Sequence, residues 1–183
     1  MIWRIFRKSS RPSGEVSSWW REAEALAALP SAEGLERLRS ARTPPDRSLD
    51  EAEQQEEMLD GLEHLVRLAS EARLPVLVTQ HRAVGQDQCH AVIPATLGGP
   101  ANASGKLFLT SRRLVFTGAG LSAWPWHRIS RVDRQGRTLV ILTGEEEATV
   151  LQCNSYGDAL AAAHMAARLR RPAKGDAGGN GRR

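Results

Sequence analysis

The segment Gly105-Lys106-Leu107-Phe108-Leu109-Thr110-Ser111-Arg112-Arg113-Leu114-Val115-Phe116-Thr117 holds two short apolar runs, 106–109 and 113–117, joined through the polar pair Ser111-Arg112. Runs of this length around a tight polar turn read as a β-hairpin. The same alternation continues on both sides. Strands are predicted over 74–80, 88–97, 106–109, 113–117, 121–124, 128–133, 138–142 and 147–152, with Gly85, Gly98-Gly99-Pro100, Gly118-Ala119-Gly120, Gln135-Gly136 and Gly144-Glu145 as punctuation. A helix follows over 155–169, with Tyr156, Leu160, Ala163 and Ala167 along one face, and Pro172 stops it. Many short strands closed by one helix argue for an α+β fold: a bent antiparallel β-barrel with a helical plug.

Before residue 74 the period is helical. Trp20, Ala23, Leu26, Ala27 and Leu29 predict a helix over 15–29, ended by Pro30. A second, over 31–40, has Ser31 as cap and Leu35 and Leu38 as apolar residues. A third runs over 48–71, where Ser48 caps with Glu51 three residues on, and Leu49, Ala52, Leu59, Leu62, Val66 and Ala69 form a narrow stripe on a charged helix. Leu139-Val140-Ile141-Leu142 is apolar throughout, the mark of a strand covered on both faces. Trp19, Trp20 and the Leu59-Leu62-Val66 stripe are the expected cover.

The chain has 183 residues, 41% of them hydrophobic, with Pro, Gly and charge gathered at both ends. This fits one well-filled domain with a helical appendage and loose termini. The expected division is a basic, aromatic N-terminus over 1–14, a helical region over 15–73, the strand-rich domain over 74–170 and a disordered basic tail over 171–183. The net charge of +4 is unevenly laid out. Residues 46–71 carry nine acids against Arg47 and Arg67, while within the strand-rich part residues 106–137 carry Lys106, Arg112, Arg113, Arg128, Arg131, Arg134 and Arg137 against Asp133. A negative helix lying across Arg112, Arg113 and Arg128 is one expectation from this contrast. No stretch reaches the ~20 apolar residues of a membrane span, and Met1-Ile2-Trp3-Arg4-Ile5-Phe6 is too broken for a signal peptide. A cytoplasmic protein is therefore expected, and Cys89 and Cys153 make no disulfide framework.

The strand order, the hairpin, the element Trp124-Pro125-Trp126-His127-Arg128-Ile129 and the closing helix together resemble the GRAM and bacterial PH-like domains of the pleckstrin-homology superfold. The family segment Gly-x-Leu-x-Leu-Thr-x-x-Arg-Leu-x-Phe is matched by Gly105, Leu107, Leu109, Thr110, Arg113, Leu114 and Phe116, and its later Pro and Ile by Pro125 and Ile129. The resemblance covers residues 74–170. It implies a strongly bent seven-stranded sheet capped by the C-terminal helix, which binds lipids, peptides or other domains and performs no chemistry. Phosphoinositide-binding members gather cations on the first hairpin, whereas here Arg82 is the sole Lys or Arg between Leu74 and Leu97.

No catalytic constellation is found, and neither metal nor cofactor is expected. Residues 99–106 lack the spacing and the following helix of a phosphate-binding loop. His81, Cys89 and His90 match no metal-ligand spacing. The candidate ligand-binding residues are Arg112 and Arg113 at the hairpin turn, with Trp126, His127 and Arg128 in the Trp-Pro-Trp-His-Arg element. Trp124 and Trp126 either fill the barrel end, the commoner use of aromatics beside a proline, or form a binding platform. Trp3, Phe6, Arg7 and Lys8 are candidates for contact with a membrane surface. The expected function is a non-enzymatic interaction module for a protein partner or an anionic membrane. The alternative, suggested by a pI near 9.7, is nucleic-acid binding through the Arg-rich surface and tails.

Overall fold

The computed structural model describes residues 18–42, 48–99, 102–118, 120–144 and 147–170. Trp3, Phe6, Arg7 and Lys8, and the tail over 171–183, lie outside the described residues. Three helices come first: α1 (Ser18–Ala28), α2 (Ala32–Ser40) and α3 (Leu49–Ser70). Ser31 and Ser48 cap α2 and α3 by accepting from the backbone N–H of Gly34 and Glu51, so both helices start where a side-chain oxygen meets an otherwise unpaired donor. Seven strands follow: β1 (Cys89–Leu97), β2 (Ala103–Thr110), β3 (Arg113–Thr117), β4 (Leu121–Pro125), β5 (Ile129–Gln135), β6 (Thr138–Thr143) and β7 (Glu147–Cys153). A 3₁₀ turn, Trp126–Arg128, separates β4 from β5, and α4 (Tyr156–Leu169) ends the series.

All neighbouring strands are antiparallel, in the order β4-β3-β2-β1-β7-β6-β5. This α+β architecture of seven antiparallel strands and a packed C-terminal helix is the one the resemblance implies. The sheet stays open, with β4 and β5 as its two edges. β1 runs beside β2 along its whole length but meets β7 only through Ala95, Thr96 and Leu97. The sheet thereby splits into two wings that enclose Ile93, Leu107, Leu109, Leu114, Phe116, Trp126, Leu139, Ile141 and Leu151. Burying one such side chain stabilises by about 1.5–3 kcal/mol.

α4 packs into this core through Ala159, Ala162, Met165 and Ala166, and presents Tyr156 and Leu160 to a second core formed by Trp19, Leu26, Leu38, Met58, Leu59, Leu62 and Leu65. The N-terminal helices therefore dock on α4, not on the outer face of β6, where Val140 and Leu142 remain partly exposed. The sequence pattern missed this because α4 is alanine-rich and carries two apolar faces rather than one. Helix α3 approaches closely enough that a Cβ on Gly61 would stand 2.8 Å from the Gly157 Cα. Met58, Leu65 and Leu68 are buried on α3, while Leu49, taken for part of the stripe, is 62% exposed. Glu57 fastens the layer further: it accepts from the Tyr156 backbone N–H at 2.8 Å and pairs with Arg137, whose guanidinium lies over the Tyr156 ring.

The expected strand over 74–80 is reduced to one bridge, Leu77 to Cys89. Pro75 has no N–H to donate, and its carbonyl is taken by His90 Nδ1 at 2.7 Å. Beyond it, residues 81–88 fold over the outer face of the β2–β3 hairpin. Ala83 and Val84 cover Phe108 and Val115, and the His81 ring stacks on Phe108 at 4.7 Å. This cover explains why Leu107, Phe108, Leu109 and Thr110 are buried in succession.

Both cysteines are buried thiols. Burial, and secondarily the Asp158 carboxylate, push the Cys153 thiol up to about 12, and burial also raises Cys89. A thiol reagent applied at neutral pH should label neither residue until the chain unfolds. Because the folded state holds the Cys153 proton more tightly than the unfolded chain, its contribution is complete below the ordinary thiol value of 9.0 and is lost as pH rises towards about 12. Thermal melts across that window should fall in a wild-type chain and fall less in Cys153→Ala.

Candidate functional site

The turn between β2 and β3 is built around Thr110, which is fully buried. Its hydroxyl accepts from the Arg113 N–H at 3.1 Å and donates to the Arg113 carbonyl at 2.8 Å, closing the turn from inside. The turn is also held from outside. Ser111 N–H donates to the Gln88 carbonyl at 2.8 Å, and Gln88 N–H donates to the Ser111 hydroxyl at 3.2 Å. The Trp126 backbone N–H donates to the Arg112 carbonyl at 3.1 Å, and its indole Nε1–H donates to the Thr110 carbonyl at 2.8 Å.

These bonds determine where each candidate residue stands. Trp126 is buried, with its ring in the sheet core, and it holds the turn rather than offering a surface. His127 and Arg128 follow it and are exposed. Arg113 is half-buried and donates from Nε to Asp87 Oδ2 at 3.0 Å, while Arg112 is 82% exposed with its Nε 3.6 Å from Asp87 Oδ1. Arg112, Arg113, His127 and Arg128 thus come together at one end of the sheet, where β2 ends, β3 begins and β4 passes into β5. Asp87, whose side chain is 6% exposed, was not foreseen as their partner. It lies in the loop that covers the hairpin, so no strand period points to it.

The acidic helix does not cover these arginines. The described ion pairs of α3 go to Arg39, Arg42 and Arg137, while Glu24 of α1 takes Arg134. The helical layer is therefore latched to the β5–β6 hairpin, and the exposed Arg112 is left outside it. A cleft of about 380 Å³ at the crossing of α3 and α4 is lined by Glu57, Asp60, Gly61, His64, Ser155, Gly157 and Asp158. Its carboxylates would repel an anion. Among the described residues no group of three His, Cys, Asp or Glu side chains converges to hold a metal, and no helix is long and apolar enough to cross a membrane.

No protein-family model matches the chain, and no curated protein matches it. Among solved structures it is similar to the C-terminal domain of an unknown protein from Leishmania infantum, at 12% identity and a TM-score of 0.43, covering 49% of this chain and 94% of that one. It is similar also to the N-terminally truncated linker-DH/PH domains of p115-RhoGEF, at 9% identity and a TM-score of 0.40, covering 83% of this chain and 54% of that one. A third is the DH/PH domain of human ARHGEF11, in a ternary complex with human RhoA and its inhibitor, at 13% identity and a TM-score of 0.41, covering 83% and 53%. The chain spans about half the length of these two DH/PH structures. Likeness at this level assigns neither partner nor activity.

Proposed function

We propose that the chain is a non-enzymatic interaction module of the PH-like, GRAM kind, with residues 74–170 as the module and helices α1, α2 and α3 as a layer docked on its last helix. The module engages an anionic partner through the end of the sheet that carries Arg112, His127 and Arg128, and acts in the cytoplasm or peripherally at a membrane. The observation that carries this reading is the rigid presentation of Arg112. Its main chain is fixed by Trp126 and by the neighbouring Gln88–Ser111 pair, yet its guanidinium is 82% exposed. A long cation held this way is a contact residue, since an exposed arginine adds little to stability on its own. Several cations converging on one surface are what recognition of phosphate or carboxylate requires.

The test uses a general polyanion. The full chain should be retained on immobilised heparin, and Arg112→Glu/Arg128→Glu should elute at distinctly lower salt with an unchanged melting temperature. Each cation near an anionic surface is worth about 1 kcal/mol, and the double variant both removes two and adds two like charges. Equal elution of the two proteins would overturn the assignment of this end as the contact surface.

A further inference from the structure

The two edge strands, β4 and β5, are guarded very differently. β5 carries Arg131, Asp133 and Arg134, its Ser130 carbonyl accepts from the Arg170 guanidinium, and Arg134 is tied to Glu24 of α1. Charged side chains and occupied backbone groups are what keep an edge from pairing with another chain. β4 has no such protection. No Lys, Arg, Asp or Glu occurs from Leu114 to His127, and Leu121 on this edge is 65% exposed.

The hydrogen-bond register tells which groups of β4 face away from the sheet. The Trp126 N–H donates to the Arg112 carbonyl, and the Gly118 N–H donates to the Gly120 carbonyl. Bonded and non-bonded pairs alternate along an antiparallel ladder. Between those two points Trp124 therefore bonds to Leu114 and Ser122 to Phe116, which turns the backbone groups of Leu121 and Ala123 and the carbonyl of Pro125 outward. Among the described residues no strand lies beside them. Ala123 stands opposite Val115, so it and Leu121 project from the outer face of the sheet, the face on which Val115 packs with Phe108 and Val84.

This pattern is complementary to itself, which is what an isologous contact requires. About a two-fold axis through Ala123, a second β4 lies antiparallel to the first. Ala123 exchanges both backbone bonds with its counterpart, and the Leu121 N–H donates to the carbonyl of the partner's Pro125, whose ring the Leu121 side chain covers. Pro125 itself lacks a donor, but it falls at the end of the pairing, where proline is tolerated. Charge favours the same arrangement. The Arg112-Arg113 end of one copy comes beside the uncharged Thr117-Gly118-Ala119-Gly120-Leu121 turn of the other, whereas a parallel pairing would bring the arginines together.

We propose that β4 is a self-association edge, through which two copies of this chain join their sheets about a two-fold axis at Ala123. The inference stands apart from the reading of the arginine end as an anion-binding surface. A pairing of two five-residue strands is shorter than the usual stable interface of about 1,200–2,000 Å² provides for, so the dimer is weak and forms with rising concentration.

The experiment is sedimentation velocity of the full chain over a concentration series reaching about 1 mM, where the monomer should pass into a dimer. Ala123→Lys sets two like charges directly opposite each other across the axis and should weaken association about fivefold. Ala123→Glu should weaken it similarly, and an equimolar mixture of the two variants should recover it, an outcome that damage to the fold could not produce. Leu121→Ser, which removes the apolar contact with the partner's Pro125, should weaken it as well. All three variants should melt like wild type, because both side chains are exposed. A wild-type chain that stays monomeric throughout overturns a second copy as the occupant of this edge. A dimer that none of the variants weakens, or two weakened Ala123 variants whose mixture does not recover, overturns the axis at Ala123.

Discussion

Gly105→Ala is expected to destabilise the chain by about 3 kcal/mol, the upper part of the range for forcing an atom into packed structure. In a chain of this size that is a fall in melting temperature of roughly 6–12 °C. The cause is backbone rather than side chain. A Cβ at residue 105 would lie 1.9 Å from the Thr117 carbonyl oxygen, 2.7 Å from its carbonyl carbon and 2.9 Å from the Gly118 Cα. The last registered pair of β2 and β3 is Lys106 with Thr117, and beyond it the end of β3 folds across the face on which a side chain at 105 would stand. No rotamer change relieves such a contact, so one strand must move. Gly120→Ala is the control, because nothing lies within 4 Å of its Cβ position. Equal melting temperatures for Gly105→Ala and wild type would mean that the two strands do not approach in this way.

Leu62→Asp should be comparably severe, but in the other core. Leu62 is fully buried among Met58, Leu59, Leu65 and Leu160. Truncating such a leucine costs about 3–5 kcal/mol, and an unpaired carboxylate in its place adds a desolvation penalty. The helical layer should separate from α4. Trp20, which packs edge-on against Trp19, would then lose the Tyr156 ring that stands 5.6 Å from it on α4. Near-ultraviolet circular dichroism from these two tryptophans, and proteolysis over residues 18–70, report the detachment directly. An unchanged melt with unchanged tryptophan dichroism would show that the layer is not held by this core.

The strands and helices were legible because their periods are clean and their stops are chemical. Ser31 and Ser48 cap as their positions suggest, and Gly136 and Gly144 turn with positive φ at hairpin ends. Pairing that depends on tertiary context was not legible. The 74–80 run has strand composition, but Pro75 and the His90 side chain consume the groups a ladder would need. The docking partner of the N-terminal helices was hidden because alanines and Gly157 do not register as a sticky face, although their smallness is what admits α3. At the site, the arginines were visible as charges on a turn. Asp87 and Thr110, which hold that turn in place, were not, since a hydroxyl and a carboxylate acquire these roles only when distant segments meet.

The position of α4 in the chain has a consequence for synthesis. Helices α1 to α3 leave the ribosome first, but one wall of their core, Tyr156 and Leu160, follows all seven strands. At the usual pace of translation that wall arrives on the order of ten seconds after α3. Throughout that interval Trp19, Leu59 and Leu62 lack their final partner. The helical layer, although it comes first in sequence, is a late-closing unit, and a nascent chain stopped before residue 156 should be held by a chaperone that recognises exposed apolar helix.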